Sequence, residues 1–135
     1  MVWLNLADSL HFAGRTDEST DAYTRAREIS AARLDVDSSD GVAMTTLAWA
    51  EHMLGDSEAA LKLIDKSLQI DPEDPYTYYY DALIRYQTGD SDAALNSLAA
   101  ALEKGYPPGL LVAEPALGEI RADDRFSAII VENIR

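Results

Sequence analysis

Two histidines, one acidic loop and a cluster of tyrosines are the side chains with chemistry to offer. His11 and His52 would act as general bases or metal ligands only with convergent partners. Neither belongs to a His-x3-His pair or has a carboxylate at a recognised spacing. Both read as groove-edge or surface residues able to shift charge near neutral pH. The run Asp35-x-Asp37-x-Ser39-Asp40-Gly41 opens like a calcium loop. It has Asp40 where the sixth place needs Gly, and Thr46 where the twelfth needs a bidentate Glu. It reads as an acidic connecting loop. No Gly-rich phosphate loop, GxSxG or Ser-Lys motif occurs. Cysteine is absent, which excludes a thiol nucleophile, a disulfide framework and Cys-ligated metal. The expectation is no catalytic residue, no metal, no cofactor and no enzyme. The tyrosines point elsewhere: Tyr76, Tyr78, Tyr79, Tyr80 and Tyr86 share one short stretch. Tyrosine and tryptophan offer large contact area at low entropy cost and dominate interface hot spots.

The composition bounds the alternatives. The chain has 135 residues, 47% of them apolar, which suits one globular domain. Eleven Lys and Arg against 24 Asp and Glu leave a net charge of −13, opposite to what nucleic acid or anionic lipid requires. No apolar run approaches the roughly 20 residues of a membrane span, and no signal-peptide pattern opens the chain. A cytoplasmic location is the expectation.

The elements that must position these residues repeat. Gly55-Asp56-Ser57-Glu58-Ala59-Ala60-Leu61 recurs as Gly89-Asp90-Ser91-Asp92-Ala93-Ala94-Leu95, an offset of 34 residues. A weaker copy, Gly14-Arg15-Thr16-Asp17-Glu18-Ser19-Thr20, lies 41 residues upstream of the first. Apolar-periodic stretches flank every copy. Upstream lie 3–12, 42–54 and 76–86; downstream lie 21–31, 59–69 and 93–103. In the second downstream stretch Ala60, Leu61, Ile64 and Leu68 recur at helical spacing. Each unit therefore reads helix–turn–helix, with Gly at the turn and Asp, Ser or Glu starting the second helix. Pro72 ends unit two, and Pro75 suits the first turn of unit three. The seven extra residues follow unit one, where its second helix continues through Arg33 or beyond and Asp40 caps the next helix.

The period and phase resemble the tetratricopeptide repeat, whose signature is W-x2-L-G-x2-Y, then A-x3-F, then P. Unit one gives Trp3-x2-Leu6-Ala7, Gly14, Tyr23 and Ala26; unit two gives Met44-x2-Leu47-Ala48, Gly55, Ala60-x3-Ile64 and Pro72; unit three gives Tyr78-x3-Ala82, Gly89 and Ala94-x3-Leu98. Glu51 and Arg85 depart from the usual Tyr, and Asp81 from the usual Leu. The resemblance implies an all-α fold: three helical hairpins in an α-α superhelix, with repeats at about 1–33, 41–74 and 75–105 and a C-terminal cap over 106–135, forming a single domain 1–135. Trp3 and Tyr78 take its core positions. Ile120, Phe126, Ile129, Ile130 and Ile134 would form the capping face, with Asp123 or Asp124 capping the last helix.

It also implies a concave groove lined by the first helices. The groove residues would be Asn5, Asp8 and Phe12; Trp49, His52 and Met53; and Tyr76, Tyr79, Tyr80, Leu83 and Tyr86. None is Lys or Arg, so a carboxylate clamp is absent and an apolar, aromatic or basic segment suits better. The function implied is a non-catalytic protein-interaction module with a protein or peptide partner. Self-association into a homo-oligomer through the apolar edge near Trp3, Leu4 and Leu10 is the second reading. The segment from Gly105-Tyr106-Pro107-Pro108 to Asp123-Asp124-Arg125-Phe126 is similar to a tail that closes such repeats in bacterial multidomain signalling proteins: serine/threonine kinases, adenylate-cyclase-like proteins and winged-helix regulators. That likeness implies a piece of a larger regulatory polypeptide.

Overall fold

The computed structural model describes residues 2–133. Every regular element among those residues is a helix, with no strand among them. Three hairpins come first: α1 (Val2–Phe12) with α2 (Thr16–Val36), α3 (Gly41–Met53) with α4 (Ser57–Ile70), and α5 (Pro75–Gln87) with α6 (Ser91–Glu103). One device turns each hairpin. Gly14, Gly55 and Gly89 have φ of 78°, 103° and 94°, a region that costs L side chains dearly. The following amide reaches back to the last helical turn: Arg15 N–H to Leu10 O, Asp56 to Glu51 and Asp90 to Arg85. This is the Schellman closure, which satisfies orphan carbonyls. Asp40, Asp56 and Asp90 then accept the amides of Ala43, Ala59 and Ala93 as N-caps, and Asp74 accepts that of Tyr76 ahead of Pro75. Arg15 stands at this place in the first hairpin and provides no side-chain cap; it pairs with Glu18 instead.

The chain divides into two compact units, Met1–Pro72 and Glu73–Arg135. The boundary falls in the Asp71–Pro75 turn between the second and third repeats. In the first unit α3 is packed between α2 and α4, while α1 packs chiefly on α2. Alanines at closest approach, Ala7, Ala48, Ala50 and Ala60, are completely buried and let the backbones come together. This asymmetry corrects one expectation. Trp3 was expected in the core by its register, but it is 40% exposed, whereas Met44 in the same register is 1% exposed. Met44 lies on α3, which packs against both α2 and α4, whereas α1 packs chiefly on α2.

In the second unit α5 and α6 form the hairpin, and the acidic departure at Asp81 is resolved inside it. Asp81 is 4% exposed. It forms an ion pair with Arg85 one turn on, at 2.9 Å, and accepts the Ser97 hydroxyl from α6. Tyr78, the other expected core residue, is half-buried.

The tail keeps the repeat's step while breaking its first helix. It comprises α7 (Pro108–Ala113), a 3-10 turn (Pro115–Leu117), α8 (Gly118–Arg121) and α9 (Phe126–Asn133). α7 begins at Pro108, 33 residues after Pro75 opens α5; α9 begins at Phe126, 35 after Ser91 opens α6. Pro115 cannot continue α7, so one long helix becomes three short turns. Arg121 holds the break by donating to the carbonyls of Leu111 at 2.9 Å and Glu114 at 2.6 Å. α9 packs on α6. Of the expected capping face, Ile120 and Phe126 are buried, and Ile129 and Ile130 are half-buried. Ile134 lies outside the described residues. Asp123, rather than Asp124, is the residue that organises the start of α9. It accepts the Arg125 amide and guanidinium, and Arg125 also reaches Asp92 and Ser91 of α6. The guanidinium holds the Asp123 carboxyl far below the usual carboxylate range.

Candidate functional site

The expected binding residues fall in both units. In the first unit Asp8, on α1, is the hub. Its Oδ1 accepts the Tyr23 hydroxyl from α2 and the Trp49 indole N–H from α3, the latter at 2.8 Å. Asp8 and Trp49 occupy equivalent register positions of successive first helices, so the bond links like to like across neighbouring hairpins. Burial raises the Asp8 pKa above that of a free carboxyl; the bonds from Tyr23 and Trp49 and the charge of His11 oppose that rise. Trp49 itself is 1% exposed. Its expected place on the surface is thus corrected: with the indole N–H satisfied by Asp8, the ring fills the interior between hairpins. His52 lies against it with ring centroids 5.3 Å apart, and its Nδ1 is 2.8 Å from Ser57 Oγ. His52 and Met53 are half-buried, while Asn5 and Phe12 are exposed, Phe12 meeting His11 edge-on.

In the second unit the tyrosines of α5 are brought together by a residue of the tail. Gly105, with φ of 106°, ends α6 by the same closure as the hairpin turns, and the Tyr106 amide bonds back to Ala101 O. That directs Tyr106 onto α5. Its ring stacks on Tyr79 at 4.7 Å and 14°, and meets Tyr76 edge-on at 5.4 Å. Tyr79 and Tyr106 are therefore buried, and their hydroxyls share a hydrogen bond. Burial pushes the Tyr106 hydroxyl up to about 12 and that of Tyr79 higher still. Tyr80 touches Tyr79 edge-on and stays half-buried; Tyr76 is 48% exposed. Leu83 is 1% exposed, in the core rather than on a surface. The Tyr86 hydroxyl donates to Asp123 at 3.2 Å; partial desolvation and that bond both raise its pKa.

Of the eleven expected residues, then, Trp49 in the first unit and Tyr79 and Leu83 in the second are buried, and Asp8 bonds Trp49. Asn5, Phe12, His52 and Met53 in one unit, and Tyr76, Tyr80 and Tyr86 in the other, keep accessible surface. Sequence reasoning missed Tyr23 and Tyr106 as partners. The signal for Tyr106 was present: Gly105 is a fourth glycine placed like the three that turn hairpins. Among the described residues no group of three or more His, Asp or Glu side chains is placed to hold a metal ion. No described helix is long and apolar enough to cross a membrane. The acidic loop is occupied otherwise: Asp37 holds Ser39, and Asp40 caps α3.

The chain is similar in fold to two solved structures. One is the type III secretion translocator chaperone SycD of Yersinia enterocolitica, 17% identical with a TM-score of 0.52, the match covering 96% of this chain and 82% of that one. The other is PcrH, solved in complex with the chaperone binding region of PopD, 22% identical with a TM-score of 0.50, covering 96% and 90%. At such identities the likeness is one of fold. No curated protein sequence matches the chain. A family model described as tetratricopeptide repeat matches residues 1–73. With that match, the 34-residue step and the glycine-turned hairpins, the chain belongs to the tetratricopeptide repeat family.

Proposed function

We propose that this chain is a non-catalytic interaction module, working as one domain over 1–135, that captures an apolar, aromatic or basic segment of a protein partner on its first helices. The observation that carries the reading is the state of α5. Packing consumes Tyr79 yet leaves Tyr76 and Tyr80 with accessible rings on a protein of net charge −13. Aromatic rings amid acidic groups suit cationic and aromatic side chains. Phe12, His52 and Met53 offer a second set of contacts in the first unit. The PcrH neighbour, whose printed complex is with a region of PopD, supports a peptide-like occupant. The tail motif from Gly105 to Phe126 supports a place within a larger bacterial signalling or regulatory polypeptide, with a cytoplasmic location.

The test is selection from a random peptide library on the immobilised protein, followed by titration of the winners. Selected peptides should be rich in aromatic residues, Lys and Arg. The pair Tyr76→Ala and Tyr80→Ala should weaken them by about tenfold or more, on the order of 1.4 kcal/mol. Affinities untouched by that pair, with helicity unchanged, would sink the reading.

A further inference from the structure

The tail brings to the tyrosines a charge that its own unit does not answer. Glu114 closes α7, and its backbone is held on both sides. Its amide donates to Leu110 O at 2.9 Å, and its carbonyl accepts from Arg121 at 2.6 Å. The side chain is half-buried. Burial is the main reason that the Tyr79 and Tyr106 hydroxyls resist ionisation, and the Glu114 charge adds to it in both. Two hydroxyls feel one carboxylate, so it stands beside the stacked ring pair. Tyr106 also meets Tyr76 edge-on, at 5.4 Å and 65°, which joins the 48% exposed ring of Tyr76 to the same group.

Among the described residues, every cation of the second unit is engaged elsewhere. Arg85 pairs with Asp81 and Lys104 with Glu73, each at 2.9 Å. Arg125 is shared between Asp123 and Asp92. Arg121 directs its Nη1 to the Leu111 and Glu114 carbonyls and not to the carboxylate. The other carboxylates of the unit are placed differently. Asp74, Asp81 and Asp123 accept hydrogen bonds from the unit's own groups, and the remainder are exposed. Among the described residues of the unit, Glu114 is the half-buried carboxylate with neither an ion pair nor a side-chain hydrogen bond.

A carboxylate drawn partly out of water gains more from a counter-charge than an exposed one. An exposed aromatic ring beside it adds attraction for the same cation. A guanidinium fits both at once. It is planar, weakly hydrated, stacks on aromatic rings and presents paired donors that match a carboxylate; an ammonium does only part of this. We infer that the partner segment carries an arginine whose guanidinium pairs with Glu114 and lies against the ring of Tyr76. The inference rests on the partner reading above and deepens it by naming the side chain that the site selects.

Acetylated, amidated peptides Gly-Tyr-Xaa-Tyr-Gly test the inference, with arginine, lysine or citrulline at the centre, titrated by NMR into the 135-residue protein. Citrulline keeps the shape of arginine and removes its charge. The arginine peptide should bind about fivefold or more tighter than the citrulline one, with lysine between them. Glu114→Gln should erase that ratio and leave the affinity of the citrulline peptide unchanged. The backbone of Glu114 makes its structural bonds, so this variant keeps the fold. Tyr76→Leu should weaken the arginine peptide more than the citrulline one. Equal binding of arginine and citrulline, a ratio that survives Glu114→Gln, or a lysine peptide equal to the arginine one would overturn the inference and leave the binding site standing. Failure of the partner reading has a different signature: no peptide binds, or the pair Tyr76→Ala and Tyr80→Ala leaves every affinity unchanged, and the inference falls with it.

Discussion

Each unit places one carboxylate on the first helix of a hairpin, and each carboxylate takes a hydroxyl from the second helix: Tyr23 onto Asp8, Ser97 onto Asp81. They differ in what balances the charge. Asp81 has Arg85 one turn along the same helix, at 2.9 Å. Asp8 is bonded instead by the Trp49 N–H from the neighbouring hairpin, and the nearest positive influence is His11. An ion pair within one helix secures that hairpin alone. A carboxylate bonded by two neutral donors on two other helices joins hairpins together, and its burial raises its pKa. The contrast shows how the first helix of a hairpin tolerates an inward acid in two ways, by importing a cation or by importing donors.

Four substitutions break or sharpen that contrast. The largest effect is expected of Arg85→Met, which leaves Asp81 buried without its cation and should cost about 2–4 kcal/mol, read as faster amide exchange across α5 and α6. A cost within experimental error would mean that Ser97 alone suffices. Next, Asp8→Ala orphans the Tyr23 hydroxyl and Trp49 N–H and should cost about 1–3 kcal/mol. Both tryptophans lie in the first unit, so indole fluorescence during urea unfolding reports it directly.

Asp8→Asn keeps an acceptor and removes the charge, so at pH 7 its effect should stay below about 1 kcal/mol. Its value lies in the pH profile. A raised folded pKa means that the native state holds the proton more tightly. That contribution favours folding below the ordinary value of 3.8 and is lost as pH rises from there through the raised value. Asp123 works the other way: its lowered pKa gives stability above 3.8 that disappears as pH falls. Subtracting the Asp8→Asn profile from the native one should isolate a component that declines with rising pH just above 3.8. A difference that rises with pH there would contradict the assignment. The smallest effect belongs to Tyr86→Phe, which removes one half-exposed bond to Asp123 and should cost about 0.5 kcal/mol in thermal unfolding.

The hairpins were legible because their causes are local. Glycine, capping acid and apolar period lie within one turn of each other, and Asp40, Asp56 and Asp90 cap where expected. The interior was harder to read because its causes are distant. Trp3 has the signature position and is half out of the core; Trp49 has none and is buried. The difference depends on α2 covering α3 and on Asp8, 41 residues from Trp49, supplying an acceptor. Likewise nothing near Tyr79 announces that Tyr106 will cover it. Which tyrosines stay accessible could be settled only by the path of the tail.

The broken fourth repeat has a consequence for how such a chain can evolve. Its anchor Arg125 grips Ser91 and Asp92 at the head of α6, and the preceding repeat presents Ser57 and Glu58 in the same places. The tail recognises a feature that successive repeats carry, delivered at almost the same interval. Duplication or loss of a whole repeat ahead of residue 105 would present that feature again, and the tail would need no reinvention. The number of repeats can then drift by whole units while the tail is inherited intact.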